Sequence, residues 1–87
     1  MPTVFIPAQL RELSAGVQQV EVSATNLRQV LAALEERFPG MRARLCTGEA
    51  ISPGLAVSIG GAMVSKGLLS PVKPNSEVHF LPAIGGG

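Results

Sequence analysis

The chain has 87 residues and a mass of 9.0 kDa, enough for one small domain and one core but not for a deep internal active site. Hydrophobic residues make up 46% and charged residues 15%, a folding composition, and with three Phe, no Trp and no Tyr the core must be aliphatic. Seven Lys and Arg against six acids, all of them Glu, leave a formal net charge of +1; this argues against a nucleic-acid surface, which needs clustered cations and usually stacking aromatics.

Residues 3–7 read as a short strand, with Val4 and Ile6 on one side and Thr3 and Phe5 on the other. Pro7 lacks an N–H and ends regular pairing there. Residues 8–16 carry Leu10 and Leu13 and close at Gly16, a turn-like connection that tucks two leucines under the sheet. In residues 17–23, Val20 and Val22 alternate with Gln19, Glu21 and Ser23, which predicts a half-buried strand forming a hairpin with the first. Residues 26–38 are the clearest element: Leu27, Val30, Leu31, Leu34 and Phe38 fall on one helical face. Asn26 stands at the N-cap position, Gln29 three residues later where a capping-box partner belongs, and Pro39-Gly40 ends the helix.

Residues 41–46 suggest a short second helix with Met41 and Leu45 inward, and residues 47–54, with Gly, Ser and Pro, a loop. Leu55, Val57 and Ile59 alternate with Ala56 and Ser58 as a third strand, and Gly60-Gly61 supplies a tight turn. Residues 62–72 are mixed, a short edge strand and then a loop. Lys73-Pro74-Asn75-Ser76 is a turn signal. Residues 77–81 form the last strand, with Val78 and Phe80 on one face and His79 and Leu81 on the other, and the chain leaves the sheet at Pro82. The resulting order, ββαββ with one main amphipathic helix across a mixed sheet, is an α+β β-grasp roll. The expected organisation is a β-grasp domain over residues 1–82 and a flexible glycine tail over residues 83–87.

One Cys cannot staple a small fold or build a Cys-based zinc or iron–sulfur site, and one His cannot build a His cluster. No apolar run is long enough to span a membrane, and the N-terminal segment lacks the basic region of a signal peptide. The expected setting is soluble, reducing and cytoplasmic, with no membrane partner and no bound metal. Cys46 reads as a structural thiol: no base or cationic cluster stands beside it in sequence. His79 reads as a surface histidine that would touch a partner near the tail. With no Asp and a single His, a Ser–His–acid arrangement cannot be argued from the sequence, so the chain is not expected to be an enzyme.

The most informative segment is Ala83-Ile84-Gly85-Gly86-Gly87. Composition alone reads it as a frayed terminus. A phosphate-cradling loop does not fit, because no helix follows to offer its N-terminus. The context adds a third reading. The glycines follow a core strand without a linker, so a rigid domain projects an arm whose last residues have no side chains. A partner can grip such a backbone closely in a narrow channel. What the arm delivers is a carboxylate. Adenylation would make it a mixed anhydride, and sulfur transfer onto that acyl group would give a thiocarboxylate.

These residues resemble the ubiquitin-like sulfur-carrier proteins of the MoaD/ThiS family. Leu81-Pro82-Ala83-Ile84-Gly85-Gly86-Gly87 is similar to the family's last strand, proline, small or apolar residues and Gly-Gly. Ile6-Pro7-Ala8-Gln9-Leu10-Arg11-Glu12-Leu13 resembles its first strand and following turn, and Leu34-Glu35-Glu36-Arg37-Phe38-Pro39-Gly40 with Arg44-Leu45 is a third match. Three positions depart from the pattern: Gly85 replaces a small non-glycine residue, Gly60-Gly61 an Asn-Gly turn, and Lys73-Pro74-Asn75-Ser76 a turn that is often acidic.

The resemblance implies that Gly87 carries the carboxylate, acyl-adenylate and thiocarboxylate in turn. Gly86 and Gly85 would thread the partner's channel, and Ile84 and Ala83 would contact its mouth. Leu81, Pro82, Phe5, Arg11 and His79 would belong to the partner interface. It implies three kinds of partner: an adenylating enzyme of the ubiquitin-activating type, a sulfur donor enzyme and a sulfur-acceptor synthase. ATP and Mg²⁺ would be used by the activating partner, and no cofactor would be bound by this chain. The extra segment at residues 40–54 looks more like the molybdopterin-type or cysteine-forming carriers than the thiamin type. Two rival readings share the fold: a ubiquitin-like modifier joined to lysines through Gly87, and a structural interaction domain with an inert tail.

Overall fold

The computed structural model describes residues 1–64 and 66–82. The order is β1 (Thr3–Phe5), a 3-10 turn (Ala8–Leu10), β2 (Gln19–Glu21), α1 (Leu27–Arg37) and α2 (Met41–Leu45). It continues with β3 (Cys46–Thr47), β4 (Ala50–Ile51), β5 (Leu55–Ile59), β6 (Ala62–Met63), a second 3-10 turn (Gly67–Leu69) and β7 (Glu77–Pro82). Five strands form one mixed sheet in the order β2-β1-β7-β5-β6, and β3 and β4 form a separate two-stranded ribbon. The pairing β1/β7 is parallel and the other pairings are antiparallel. This is the expected α+β β-grasp architecture, enlarged by the short ribbon and an edge strand.

Alternation decides the two faces of the sheet. Val4, Ile6, Val20, Val22, Val57, Val78 and Phe80 are buried, and Leu27, Val30, Leu31 and Leu34 of α1 close over them. Met41 and Leu45 of α2 complete the core from the end of α1, as their spacing predicts.

The start of α1 is fixed by a capping arrangement close to the expected one. The Gln29 N–H donates to Asn26 Oδ1 at 2.8 Å, while Gln29 Oε1 accepts from the Thr25 N–H at 2.7 Å. Caps of this kind contribute on the order of 1 kcal/mol. The same end is tied to the second 3-10 region: Leu27 N–H donates to the Ser70 carbonyl at 3.0 Å and Val72 N–H to the Thr25 carbonyl at 2.9 Å. The segment that looked mixed in sequence therefore buries Leu68 and Val72 against the helix.

Between α1 and α2 the chain reverses at Gly40, whose φ of +97° lies in the left-handed region that glycine adopts without a Cβ penalty. The Glu35 carboxylate holds this reversal. It accepts from the Gly40 N–H at 3.0 and 3.2 Å and from the Arg42 N–H at 3.0 Å. Those bonds, first from Gly40 and then from Arg42, keep the Glu35 carboxyl below its ordinary value of 4.5; partial desolvation opposes them and the Arg42 charge assists. Because the folded pKa is depressed, the stabilisation is complete above the unfolded value and is lost as pH falls through the folded one. Glu35→Gln is expected to flatten the acid limb of the stability curve below about pH 4.5 and to leave it unchanged near neutrality apart from a constant offset. Urea midpoints measured from pH 2 to 7 test this; an unchanged acid limb would refute the linkage.

Two expectations are corrected. Residues 47–54 are not simply a loop: Cys46 pairs with Ile51 and Thr47 with Ala50 around a turn at Gly48, whose φ is +62°. Strands of two residues are too short to show a period of 2. The chain also does not leave the sheet at Pro82, which pairs with Leu55 as the last position of β7. Proline lacks only the donor, and at a strand end that omission removes little of the ladder.

Candidate functional site

The expected site residues divide into two groups. Ala83, Ile84, Gly85, Gly86 and Gly87 lie outside the described residues. The five interface positions are described, and the parallel pairing of β1 with β7 gathers most of them.

Three rows of side chains cross the solvent face of the sheet. In the middle row Gln19 stands opposite Phe5, Phe5 opposite His79, His79 opposite Ser58, and Ser58 opposite Met63. Phe5 and His79 are stacked, with ring centroids 4.3 Å apart and planes 7° from parallel. His79 Nε2 also lies 3.1 Å from Glu77 Oε1 on the same strand. Towards the end of β7, Leu81 stands opposite Ala56 and is 40% exposed. Met63 at the sheet edge is 59% exposed. In the opposite direction, Glu21, Thr3 and Glu77 form the third row.

Phe5, His79 and Leu81 thus share one face. Pro82 follows at its rim and is exposed. Arg11 is not on the face: it lies in the turn after β1, half-buried, at the end of the sheet where both parallel strands finish. Its carbonyl accepts from the Gly16 N–H at 2.8 Å and from Ser14 Oγ at 3.3 Å, and its Nε is buried without a hydrogen-bond partner among the described residues. The hydroxyl of Ser14, which is fully buried, also donates to the Val17 carbonyl at 2.8 Å, so the turn is held together by its own hydrogen bonds.

Sequence reasoning missed the Phe5–His79 stack and Met63. The outward alternation of Ala56 and Ser58 was visible, but a stack between β1 and β7 depends on a parallel register that no local pattern encodes. Met63 fell in the mixed segment after Gly60-Gly61, the two-residue turn with φ of +59° and +87° that joins β5 to β6.

Cys46 is buried in β3. Burial pushes its thiol up, Arg42 partly offsets this, and Glu49 adds to it. A thiol so disposed is a poor nucleophile at neutral pH. No group of three His, Cys, Asp or Glu side chains able to hold a metal ion occurs among the described residues. No helix among them is long and apolar enough to cross a membrane.

Comparison with known proteins places this geometry. A chain in the crystal structure of the Amycolatopsis orientalis BexX/CysO complex is similar at 31% identity with a TM-score of 0.91, over 100% of both chains. The crystal structure of Mycobacterium tuberculosis CysO, an antigen, is similar at 26% identity with a TM-score of 0.88, over 97% of this chain and 100% of that one. The small archaeal modifier protein 1 from Methanosarcina acetivorans shares the fold, with a TM-score of 0.77 at 24% identity over 99% of this chain and 95% of that one. A search of curated protein sequences finds no match. The ThiS family model matches residues 4–87. With the sheet topology, the single long helix and a family match running through the terminal glycines, the chain belongs to the ThiS family, in the MoaD/ThiS group of ubiquitin-like sulfur carriers.

Proposed function

We propose that the chain is a protein cosubstrate whose Gly87 carboxylate is adenylated by an activating enzyme and then converted to a thiocarboxylate. A carboxylate oxygen attacks the α-phosphorus of ATP and pyrophosphate leaves. A sulfur nucleophile then attacks the acyl carbon, the C–S bond forms, and AMP leaves with the original C–O bond broken. ATP and Mg²⁺ are the activating partner's. Gly86 and Gly85 lie in that partner's channel with Ile84 and Ala83 at its mouth, and Phe5, His79, Leu81 and Pro82 contact its surface. A sulfur-acceptor synthase takes the product in a molybdopterin-type or cysteine-forming pathway, and the setting is cytoplasmic.

One observation carries this reading. β7 is a central strand, paired on both sides, and the sequence passes directly from it into Ala83-Ile84-Gly85-Gly86-Gly87. A domain anchored in this way holds the base of the arm still, which is what delivery of a single carbonyl carbon into another protein's site requires. The α2 segment and the β3–β4 ribbon occupy the extra residues 40–54 that favour the longer carrier types.

The test is to incubate the chain with its adenylating partner, MgATP and sodium sulfide and weigh the intact product. The expected result is the mass gain of one sulfur-for-oxygen exchange, localised to Gly87. Conjugates to lysine that vanish on deletion of Gly87 would instead favour the modifier reading. An unchanged chain in the presence of ATP turnover on a known carrier would favour the inert-tail reading.

A further inference from the structure

β5 outruns its edge neighbour β6. Ser58 and Ile59 pair with Met63 and Ala62, and the Val64 N–H still reaches the Val57 carbonyl at 2.9 Å. The chain then turns off towards the second 3-10 turn, and among the described residues no strand pairs with that edge of β5 at Leu55 and Ala56. The β3–β4 ribbon borders the gap. A recess of about 320 Å³ lies here, walled by Ile51 of the ribbon, Leu55 and Val57 of β5, and Met63 and Val64. These walls are apolar, and Met63 is largely exposed. Glu49 supplies the charge at the rim, but it lies 3.2 Å from Arg28 and 3.6 Å from Arg42, so that charge is compensated. An apolar hollow left open to water gains by taking an apolar side chain.

The sequence carries one close by. In Ala83-Ile84-Gly85-Gly86-Gly87, Ile84 is the one residue with a side chain larger than methyl. Two positions before it, Pro82 stands opposite Leu55, which walls the recess. Only β5 separates β7 from the recess in the sheet order, so Pro82 and the hollow are about two strand spacings, or about 10 Å, apart. Two residues reach about 7 Å, and the isoleucine side chain covers the remainder. The path across the start of β5 is open: Gly54 is exposed, and nothing lies within 4 Å of where its Cβ would stand. Parity agrees as well. Pro82 and Phe80 share a face with Leu55 and Val57, and a residue two positions beyond Pro82 has the same parity along the strand.

We infer that this recess is a docking site for the chain's own arm, with Ile84 as its occupant. Burial of one isoleucine and the ordering of the residues that carry it oppose each other with similar size, so the arm exchanges between a docked and a presented state. The docked state takes Ile84 out of water and lays the glycines along the outside of the domain. A partner then captures the arm only by offering Ile84 an apolar site at least as good as the recess, which discriminates against surfaces that fit the glycines alone. The inference concerns the chain by itself and holds whichever chemistry acts on Gly87.

The test is methyl NMR on the full chain, with its Ile, Leu, Val and Met methyl groups labelled and no partner present. The Ile84 methyl groups are expected to show cross-peaks to Leu55 and Val64. Ile84→Ser, which lies beyond every core residue, should shift the methyl signals of Ile51, Leu55, Met63 and Val64 and leave Val20, at the far side of the sheet, where it was. Ala50 is exposed and borders the same recess; Ala50→Phe fills the hollow and should move the Ile84 methyl signals to their random-coil positions, with a thermal midpoint confirming that the variant is folded. If Ile84 gives random-coil signals in the wild type, or if Ile84→Ser leaves the recess signals unmoved, the inference is overturned. It is overturned also if the cross-peaks vanish on tenfold dilution, since the occupant is then the arm of a second copy. None of these results depends on adenylation, so the carrier reading stands or falls separately.

Discussion

Adding one residue after Gly87 is expected to abolish thiocarboxylate formation while leaving the thermal midpoint of the domain unchanged. The chemistry acts on one carbonyl carbon, and the extra residue moves the terminal carboxylate by about 3.5 Å and puts an unreactive amide where the carboxylate stood. Misplacing a reacting group by even about 1 Å can cost on the order of a hundredfold. Here the loss has a second source, because the amide offers ATP no carboxylate oxygen. The domain is indifferent to the change, since the addition lies beyond every residue of the core. Intact mass after incubation with partner, MgATP and sulfide reads the result. Conversion of the extended chain with the added residue still attached would sink the terminal-carboxylate mechanism.

The second large effect is on stability. Leu34 is fully buried on α1, in the seam between helix and sheet. Leu34→Ala removes its share of apolar burial and leaves a cavity that a β-sheet floor closes only in part, at a cost of about 2–5 kcal/mol. Domains of this size are stable by only about 5–15 kcal/mol, and a small core has few other contacts to compensate. The urea midpoint should fall sharply with an unchanged slope. Transfer activity should follow the folded fraction, since the variant leaves Gly87 and the docking face intact. A loss below about 1 kcal/mol would mean that the seam relaxes around the missing atoms far more than a packed interior normally allows.

What could be read from the sequence follows from the range of each interaction. Helix α1 was legible because Leu27, Val30, Leu31 and Leu34 repeat with its own period and Asn26 and Gln29 mark its start. β7 was legible because Val78 and Phe80 alternate with His79 and Leu81. The ribbon at Cys46–Thr47 and Ala50–Ile51 was not, since each strand has two residues and its identity lies in pairing with the other. The burial of Leu68 and Val72 was hidden for a related reason: their segment has no period of its own and is held by bonds to Thr25 and from Leu27, some forty residues earlier. The docking face shows the same division. Leu81 and His79 could be assigned to one side of their strand from alternation alone. That Phe5 lies flat against His79, and that Glu21 and Glu77 flank Thr3 in one row, required knowing which strands are neighbours and in what direction they run. Arg11 is assigned to the partner interface by its match to the family's turn, and the fold puts it at the end of the sheet where β1 and β7 finish, but in a turn and half-buried, off the face that holds the others.

The parallel neighbours β1 and β7 are the first and last strands of the domain, and this gives the molecule a mechanical character. Tension between its two ends runs along these strands in opposite senses and loads the ladder from Thr3–Glu77 to Phe5–His79 in shear. β7 is held on its other side by β5 along five residue pairs. In shear the bonds resist together, whereas strands peeled from one end break them one at a time. A pull on the chain beyond Pro82 therefore loads both ladders of β7 in shear. Under the proposed function, β7 would stay paired while a partner holds the residues that follow it.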